Sequence, residues 1–418
     1  MKENDLDYLF SNGELKAEGL KMDGDTLTIS NLDVLCNCRY YISFLLAGVK
    51  RLKLNFIKTC GMTQLMSALA IEQFKDIEYI DVCEENEDFV SVDGLVYSKN
   101  GKYLIYCPRG KEGIIKIKEG TQIIFNSAFF RSRVSEVSFP TSLRELKSHA
   151  FSQCQNLISV RLNDEMEIIG SFTFHACENL EDVYLGKSLK SIRDYAFGKN
   201  AKLCNIDIPK TVTTIGDAAF IGCPLENVMI PSSVRKIGKC AFTDTLKLKA
   251  CSYDKALLNA CVGPYYLLMP KDNAAKTMTL QIGEHQEIVL PKHSTENDMA
   301  KINKCIRKFL KSGAISDLAE IYKYAGNNEE KVFTAIKISE TYDSAPTAKR
   351  YLTKMAEKIV ESVQDENALV DMVSGGGFSY TALKKMLNAS QKKGYTIANA
   401  YILEKLNDSS KSKTNLHI

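Results

Sequence analysis

The most regular feature of the chain is a recurrence of apolar positions between residues 123 and 245. The dipeptide Ala-Phe, or a near variant, stands at Ala128-Phe129, Ala150-Phe151, Thr173-Phe174, Ala196-Phe197, Ala219-Phe220 and Ala241-Phe242, with successive phenylalanines 22, 23, 23, 23 and 22 residues apart. Two apolar positions precede each Phe, eight and five residues upstream: Leu143 and Leu146, Leu189 and Ile192, Val212 and Ile215, Val234 and Ile237. Three residues after the Phe comes Cys154, Cys177 or Cys223, with Asn200 in the fourth case, and then Leu157, Leu180, Leu203 and, one residue early, Leu225. Each unit closes on an apolar-x-apolar triplet: Val137-Ser138-Phe139, Val160-Arg161-Leu162, Val183-Tyr184-Leu185, Ile206-Asp207-Ile208 and Val228-Met229-Ile230. A proline often follows, as at Pro140, Pro209 and Pro231.

This period specifies a solenoid. Within a triplet, alternation makes a short strand whose two apolar side chains point one way and whose middle residue points the other. A coil of this length cannot bury its own Leu, Ile and Phe, but stacked coils give each a neighbour on both sides. Burying one such side chain is worth about 1.5–3 kcal/mol, so the stack offsets its ordering entropy only collectively. Proline after the triplet removes a backbone donor and stops the strand. Cysteine three residues after the Phe then reads as a core rung, and His149 and His175, at different offsets from their Ala-Phe sites, are expected to share no pocket.

Upstream the register loosens. The triplet at Ile80 is followed by an expected hairpin over 89–97, continuing through the two-residue turn Asn100-Gly101 into Tyr103–Tyr106. Leu52-Lys53-Leu54 and Leu27-Thr28-Ile29 look like degenerate rungs. After Thr245 the register fades. Alternation over 277–282 and 286–290 suggests a junction hairpin, and from about Asn297 the period becomes helical. Met299, Ile302, Ile306 and Phe309 share one face, as do Leu318, Ile321, Tyr322 and Ala325 in a next segment. Further helices are expected around 332–338, 352–363, 369–373, 383–387 and 397–401, about seven in all, with Ser379 and Thr396 as N-caps. The closing stretch 379–406 faintly resembles ankyrin-like helical arrays.

Composition narrows the function classes. The chain has 418 residues, 45% hydrophobic and 25% charged, with net charge +3 from Lys+Arg 54 against Asp+Glu 51. Such a balance gives no reason to expect a nucleic-acid or anionic-membrane surface across the molecule. The first residues lack the apolar stretch of a signal peptide, and the longest apolar patch, around Ile42 to Val49, is too short to span a bilayer. These features predict no membrane insertion and a cytoplasmic protein, with a cell-surface or secreted one as the alternative. Thirteen cysteines, without a Cys-x-x-Cys pair, fit a reducing compartment, and Cys36-x-Cys38 has no second pair to make a metal site. The acidic run from Glu84 to Asp88 lacks the spacing and glycine of a calcium loop. Gly375-Gly376-Gly377 lacks the Gly-Lys-Ser/Thr ending of a phosphate loop. No cofactor or metal is expected, and no Ser-His-Asp or Cys-His grouping points to catalysis.

The repeat resembles the BspA-like (treponemal-type) leucine-rich repeat, whose hallmarks are an Ile-Pro strand end, an Ile-Gly step, Ala-Phe and then Cys-x-x-Leu. Ile208-Pro209, Ile215-Gly216, Ala219-Phe220 and Cys223 carry that likeness, with departures at Thr173, Asn200 and Lys147. The resemblance covers roughly residues 75–250 and implies a curved solenoid used for protein binding, often in adhesion at bacterial surfaces, with no catalytic residues.

The expected architecture is α+β and multi-domain: a right-handed leucine-rich-repeat solenoid of short parallel strands followed by an all-α helical-hairpin or bundle domain. Residues 1–74 form a capping region with degenerate repeats, 75–250 the repeats, 251–296 a junction with a β-hairpin, 297–408 the helical domain and 409–418 a disordered tail. Function then falls to the exposed strand positions. Rungs about 4.8 Å apart make the column from Val137 to Val228 roughly 20 Å long, the scale of a modest protein interface. Arg161, Tyr184, Asp207 and Met229 are the expected contact residues for a protein partner, with Glu136 and Asp182 beside them.

Overall fold

The computed structural model describes residues 10–11, 14–15, 19–30, 48–57, 62–69, 74–264, 276–342, 345–363 and 365–414. Cys36 and Cys38 lie outside them. The chain divides into two compact units, Met1–Leu225 with Pro231–Ala241, and Glu226–Ile230 with Phe242–Ile418.

The first unit is a β-solenoid of short parallel strands. The degenerate triplets are rungs: Thr26–Ile29, Arg51–Leu54 and Tyr79–Val82 pair in parallel, aligning Leu27 with Leu52 and Leu52 with Ile80, all fully buried. Leu20–Asp23 folds back antiparallel on Thr26–Ile29, and one helix, Met62–Leu69 (α1), buries Leu65 and Leu69 in the same core. The hairpin differs from the expectation in its turn. The two-residue loop is Asp93-Gly94, both at positive φ, joining Phe89–Val92 to Leu95–Ser98. Asn100 and Gly101 instead sit in the longer connection to Tyr103–Tyr106, where Asn100 Oδ1 accepts from the Lys102 amide at 3.0 Å.

From there each coil contributes to two sheets. The triplets make a parallel sheet of Glu112–Lys116, Arg133–Ser138, Ser159–Arg161 and Asp182–Tyr184. The apolar position five residues before each Phe belongs to a second sheet of two-residue strands: Ile123–Ile124, Glu145–Leu146, Ile168–Ile169, Ser191–Ile192, Thr214–Ile215 and Lys236–Ile237. Between the sheets run the phenylalanines in register. Phe129 and Phe151 stack at 4.5 Å between centroids, and Phe151–Phe174, Phe174–Phe197 and Phe197–Phe220 each at 5.3 Å, every one fully buried. The Ile-Gly step has a steric cause at Gly216, where a Cβ would lie 2.4 Å from the Asp194 amide of the preceding coil.

The Ala-Phe turn is built from left-handed residues that are not glycine. Ser127, His149, Phe172, Tyr195 and Ala218, each two before a Phe, have φ between 51° and 58°. Arg131, Gln153, Ala176 and Lys199, two after it, repeat the conformation. Such residues are held only where the surroundings over-determine them. Here the amide of each donates to a carbonyl of the next coil, as from Phe172 to Asp194 at 2.9 Å and from Ala176 to Gly198 at 2.8 Å.

In the second unit the rungs continue past the point where the apolar pattern fades. Asn227–Ile230 pairs in parallel with Lys247–Ala250, and that strand with Thr277–Ile282, which turns antiparallel into Ile288–Pro291. Helix Lys255–Cys261 (α2) is capped by Asp254, and its Ala260 carbonyl accepts from the Phe242 amide at 2.9 Å. A buried ion pair, Lys292 with Asp244, and a buried hydrogen bond between His293 Nδ1 and Glu330 Oε1 at 2.8 Å tie this region together.

The helices are Glu296–Ser312 (α3), Asn328–Thr341 (α4), Pro346–Ser362 (α5), Glu366–Ser374 (α6), Tyr380–Lys392 (α7) and Ile397–Thr414 (α8). The segment around Leu318–Ala325, expected as a helix, is two short 3-10 turns, Ile315–Asp317 and Ile321–Tyr324. Its Leu318, Ile321 and Tyr322 are buried as their spacing implied. The expected tail from Ser409 continues α8 as far as Thr414. Helix α5 packs on α4 and α7, and α8 packs on α7 and α6, so consecutive α7 and α8 form a hairpin against α5 and α6. Ser379 caps α7 as expected, its hydroxyl accepting from the Ala382 amide. Thr396 stands immediately before α8, its carbonyl accepting from the Ala400 amide at 3.1 Å. A carboxylate of α6 adds to that start: Glu366 Oε2 accepts from the amides of Thr396 and Ile397, both at 2.9 Å, and of Ala398 at 3.4 Å. Among the described residues no helix is long and apolar enough to cross a membrane.

Candidate protein-binding face

Strand register decides which side chains share the exposed face of the triplet sheet. Lys116 aligns with Ser138, Ser138 with Arg161 and Arg161 with Tyr184, a single column of middle residues. One column over, Ile114 aligns with Glu136, and Ser159 with Asp182. Within each strand the flanking Val137, Val160 and Val183 are buried while Glu136, Arg161 and Asp182 are exposed, as period-two alternation requires.

Two of the expected contact residues meet directly. The Arg161 guanidinium lies 4.7 Å from the centre of the Tyr184 ring, a cation–π contact along the column. The Tyr184 hydroxyl donates to Asp164 Oδ1 at 2.6 Å, and Lys187 Nζ donates to Asp164 Oδ2 at 2.6 Å. The hydrogen bond from Lys187, then that from Tyr184, hold the Asp164 carboxyl below its ordinary range, and the Asp164 bond raises the Tyr184 hydroxyl. The half-exposed ring is thus fixed at its face by one charge and at its tip by another. Asp164 and Lys187 were not anticipated, because they lie in the connection after the triplet, where no period marks them.

The other expected residues take separate places. Asp207 is exposed between buried Ile206 and Ile208 in an extended stretch that is not hydrogen-bonded as a strand. Met229, 55% exposed, belongs to the second unit. Glu136 and Asp182 face solvent in the adjacent column. At the start of the sheet, Arg133 pairs with Asp76 at 2.6 Å and approaches Glu112 at 3.8 Å, and Ile114 beside Glu136 is 69% exposed.

The histidines are closer than their spacing suggested. His149, Phe172 and Tyr195 stack with ring centres 4.8 Å apart, and His175 meets Phe172 edge-on at 5.4 Å. Both histidines therefore touch one phenylalanine, because the left-handed residues of successive coils form their own aromatic column. Burial lowers the pKa of each, and Lys199 and His149 add to the effect at His175. The Cys positions are buried core rungs: Cys154 Sγ reaches the Phe129 carbonyl at 2.9 Å, and Cys177 Sγ the Phe151 carbonyl at 3.1 Å. Burial pushes the Cys154 thiol well up, away from thiolate reactivity.

Residues 122–249 match the family model for the BspA type leucine rich repeat region, in six copies. No curated protein matches the chain. Among solved structures, the chain is similar to a leucine rich cell surface protein from Faecalibacterium prausnitzii, at 23% identity and TM-score 0.35, covering 51% of this chain and 54% of that one. The pneumococcal vaccine antigen PcpA matches at 22% identity and TM-score 0.29, over 47% of this chain and 44% of that one. A leucine rich repeat protein from T. pallidum matches at 31% identity and TM-score 0.26, over 28% of this chain and 55% of that one. The chain spans about half the length of these structures.

Proposed function

We propose that this solenoid, whose residues 122–249 are BspA-type leucine-rich repeats, is a non-catalytic scaffold that binds a protein partner through the exposed face of its triplet sheet. The observation that carries the reading is Tyr184, held between the Arg161 guanidinium at 4.7 Å and the Asp164 carboxylate at 2.6 Å. A side chain that is already fixed loses little freedom on binding, which is where much of the cost of an interface arises. Tyrosine and arginine are the residue types that dominate such contacts. Arg161 keeps its planar donors exposed, suited to a carboxylate or backbone carbonyl of the partner. Glu136, Asp182 and Asp207 supply acidic neighbours that set register against a partner's cations.

The test is an Arg161→Ala, Tyr184→Ala double variant in a pull-down from native lysate, with its circular dichroism and melting compared to the parent. The expected result is an unchanged fold and loss of captured partner. Capture at parental levels by the folded double variant would place the interface elsewhere.

A further inference from the structure

Helix α3 carries a feature that its fold does not need. Lys304, Arg307, Lys308 and Lys311 recur at spacings of three and four, so they form one exposed stripe. None of the four forms an ion pair among the described residues, whereas Lys301 on the same helix pairs with Asp298 at 2.7 Å. Asn303 sits beside them, accepting from the Tyr253 hydroxyl at 2.9 Å and from Arg307 Nε at 3.4 Å. Like charges at these spacings oppose helix formation. The helix end accounts for Lys311, but its preference for cations fades within the last turn, and Lys304 and Arg307 lie further back. The helix is secured by other means: Ile302, Ile306 and Phe309 are buried, Thr295 caps its start, and Gly313 closes it in the left-handed conformation.

The chain also carries a run of opposite charge. Glu84, Glu85, Glu87 and Asp88 are exposed in the turn between Tyr79–Val82 and Phe89–Val92, and none is ion-paired among the described residues. Lys99 reaches only the Glu84 carbonyl, at 2.8 Å. At the centre of the turn Asn86 is fully buried. Its Nδ2 donates to the Phe56 carbonyl at 2.8 Å, and its Oδ1 accepts from the amides of Asp88 at 3.1 Å and Phe89 at 2.8 Å. The carboxylates are therefore presented on a backbone that is already ordered.

We infer that the basic stripe of α3 docks on the acidic turn of a second copy of this chain. The sizes agree: seven residues of helix run about 10 Å, and four steps of chain reach at most about 14 Å. Four cations facing four carboxylates cancel the like-charge repulsion within each set. The contact is heterologous, joining two different surfaces, so it leaves one copy with an unused acidic turn and the other with an unused basic stripe. A nucleic acid fits less well, since about 10 Å meets only about three phosphates of a strand at 3.4 Å each, and no stripe residue is aromatic to stack on a base.

Sedimentation velocity of the full chain tests this. At about 50 mM NaCl the weight-average sedimentation coefficient rises with protein concentration, and at about 500 mM the rise is lost, as screening of exposed charges requires. The variants K304E/R307E/K308E/K311E and E84K/E85K/E87K/D88K each stay monomeric at low salt, and an equimolar mixture of the two associates again. Melting curves verify folding, and the milder pair K304Q/K308Q weakens association about tenfold. A parent chain that stays monomeric at low salt overturns the inference, as does association that survives either reversal or a mixture of the two variants that does not associate. Binding of the parent to a single-stranded oligonucleotide without self-association assigns the stripe to nucleic acid and overturns it equally.

Discussion

The Cys177 amide donates to Asn200 Oδ1 at 2.8 Å, across one coil of the solenoid. Asn200 stands where the neighbouring coils have cysteine, and it does the cysteine's work with an amide: its Nδ2 donates to the Phe174 carbonyl at 3.0 Å and to the Phe197 carbonyl at 2.9 Å. The next cysteine, Cys223, reaches the Phe197 carbonyl at 2.9 Å. The column is conserved in chemistry across the coils of this one chain, as a buried donor aimed at the carbonyl of the preceding Phe. Replacing Asn200 with Ala leaves the buried Cys177 amide without its acceptor and the Phe174 carbonyl without its side-chain donor, while the Phe197 carbonyl keeps Cys223, at a cost of about 2–4 kcal/mol. Urea unfolding measures it, and Asn200→Cys, which restores a donor, recovers part of the loss. Equal stability of N200A and the parent rules this account out.

Phe174 stacks on Phe151 at 5.3 Å and on Phe197 at 5.3 Å. Phe174→Ala opens a cavity between two coils and lowers stability by about 3–5 kcal/mol. Because coils contact only their neighbours, amide exchange rises first in the coils on either side. A uniform rise over the whole first unit contradicts nearest-neighbour coupling.

Burial lowers the pKa of His149 and His175 below the ordinary histidine value. The unfolded chain then binds more protons than the folded one below about pH 6.5, so stability falls as the pH drops through that range and is unaffected above it. The melting temperature is expected to decline between pH 7.5 and about 5, and the double variant His149→Gln, His175→Gln declines less. A parental decline in that double variant traces the effect to other groups.

The three amides at the start of α8 depend on a carboxylate from α6. Glu366→Ala removes the cap and its charge from the helix N-terminus, costing about 1–2 kcal/mol. Glu366→Gln keeps an acceptor and loses less. Exchange of the Thr396, Ile397 and Ala398 amides, followed by NMR, locates the change, and protection unaltered in E366A excludes Glu366 as the cap.

Much of the solenoid was legible because its physics is periodic. Phenylalanines at 22 or 23 residues can share a core only by stacking in register, and alternation in Val160-Arg161-Leu162 dictates which side chain faces out. The left-handed residues were not legible. Positions such as His149, Phe172, Tyr195 and Ala218 share no residue type, since their conformation is imposed by amides that must reach the next coil. The rung at Lys247–Ala250 was hidden because two lysines and an alanine leave only Leu248 to mark it. The face itself was half legible: register placed Arg161 beside Tyr184, but Asp164, which holds the ring's hydroxyl, and Lys187, which holds Asp164, come from connections with no pattern.

The sequence by itself determined the repeat, its length, its buried column and the inward or outward sense of each strand residue, because these follow from burial along a periodic chain. Only the tertiary structure decided the contacts between parts without a period: Asn200 serving as a cysteine, two histidines meeting on Phe172, and Glu366 capping a helix thirty residues away. Each depends on directional hydrogen bonds or ring packing between distant segments. Hydrophobic patterning records that a position is buried and does not record which partner it finds.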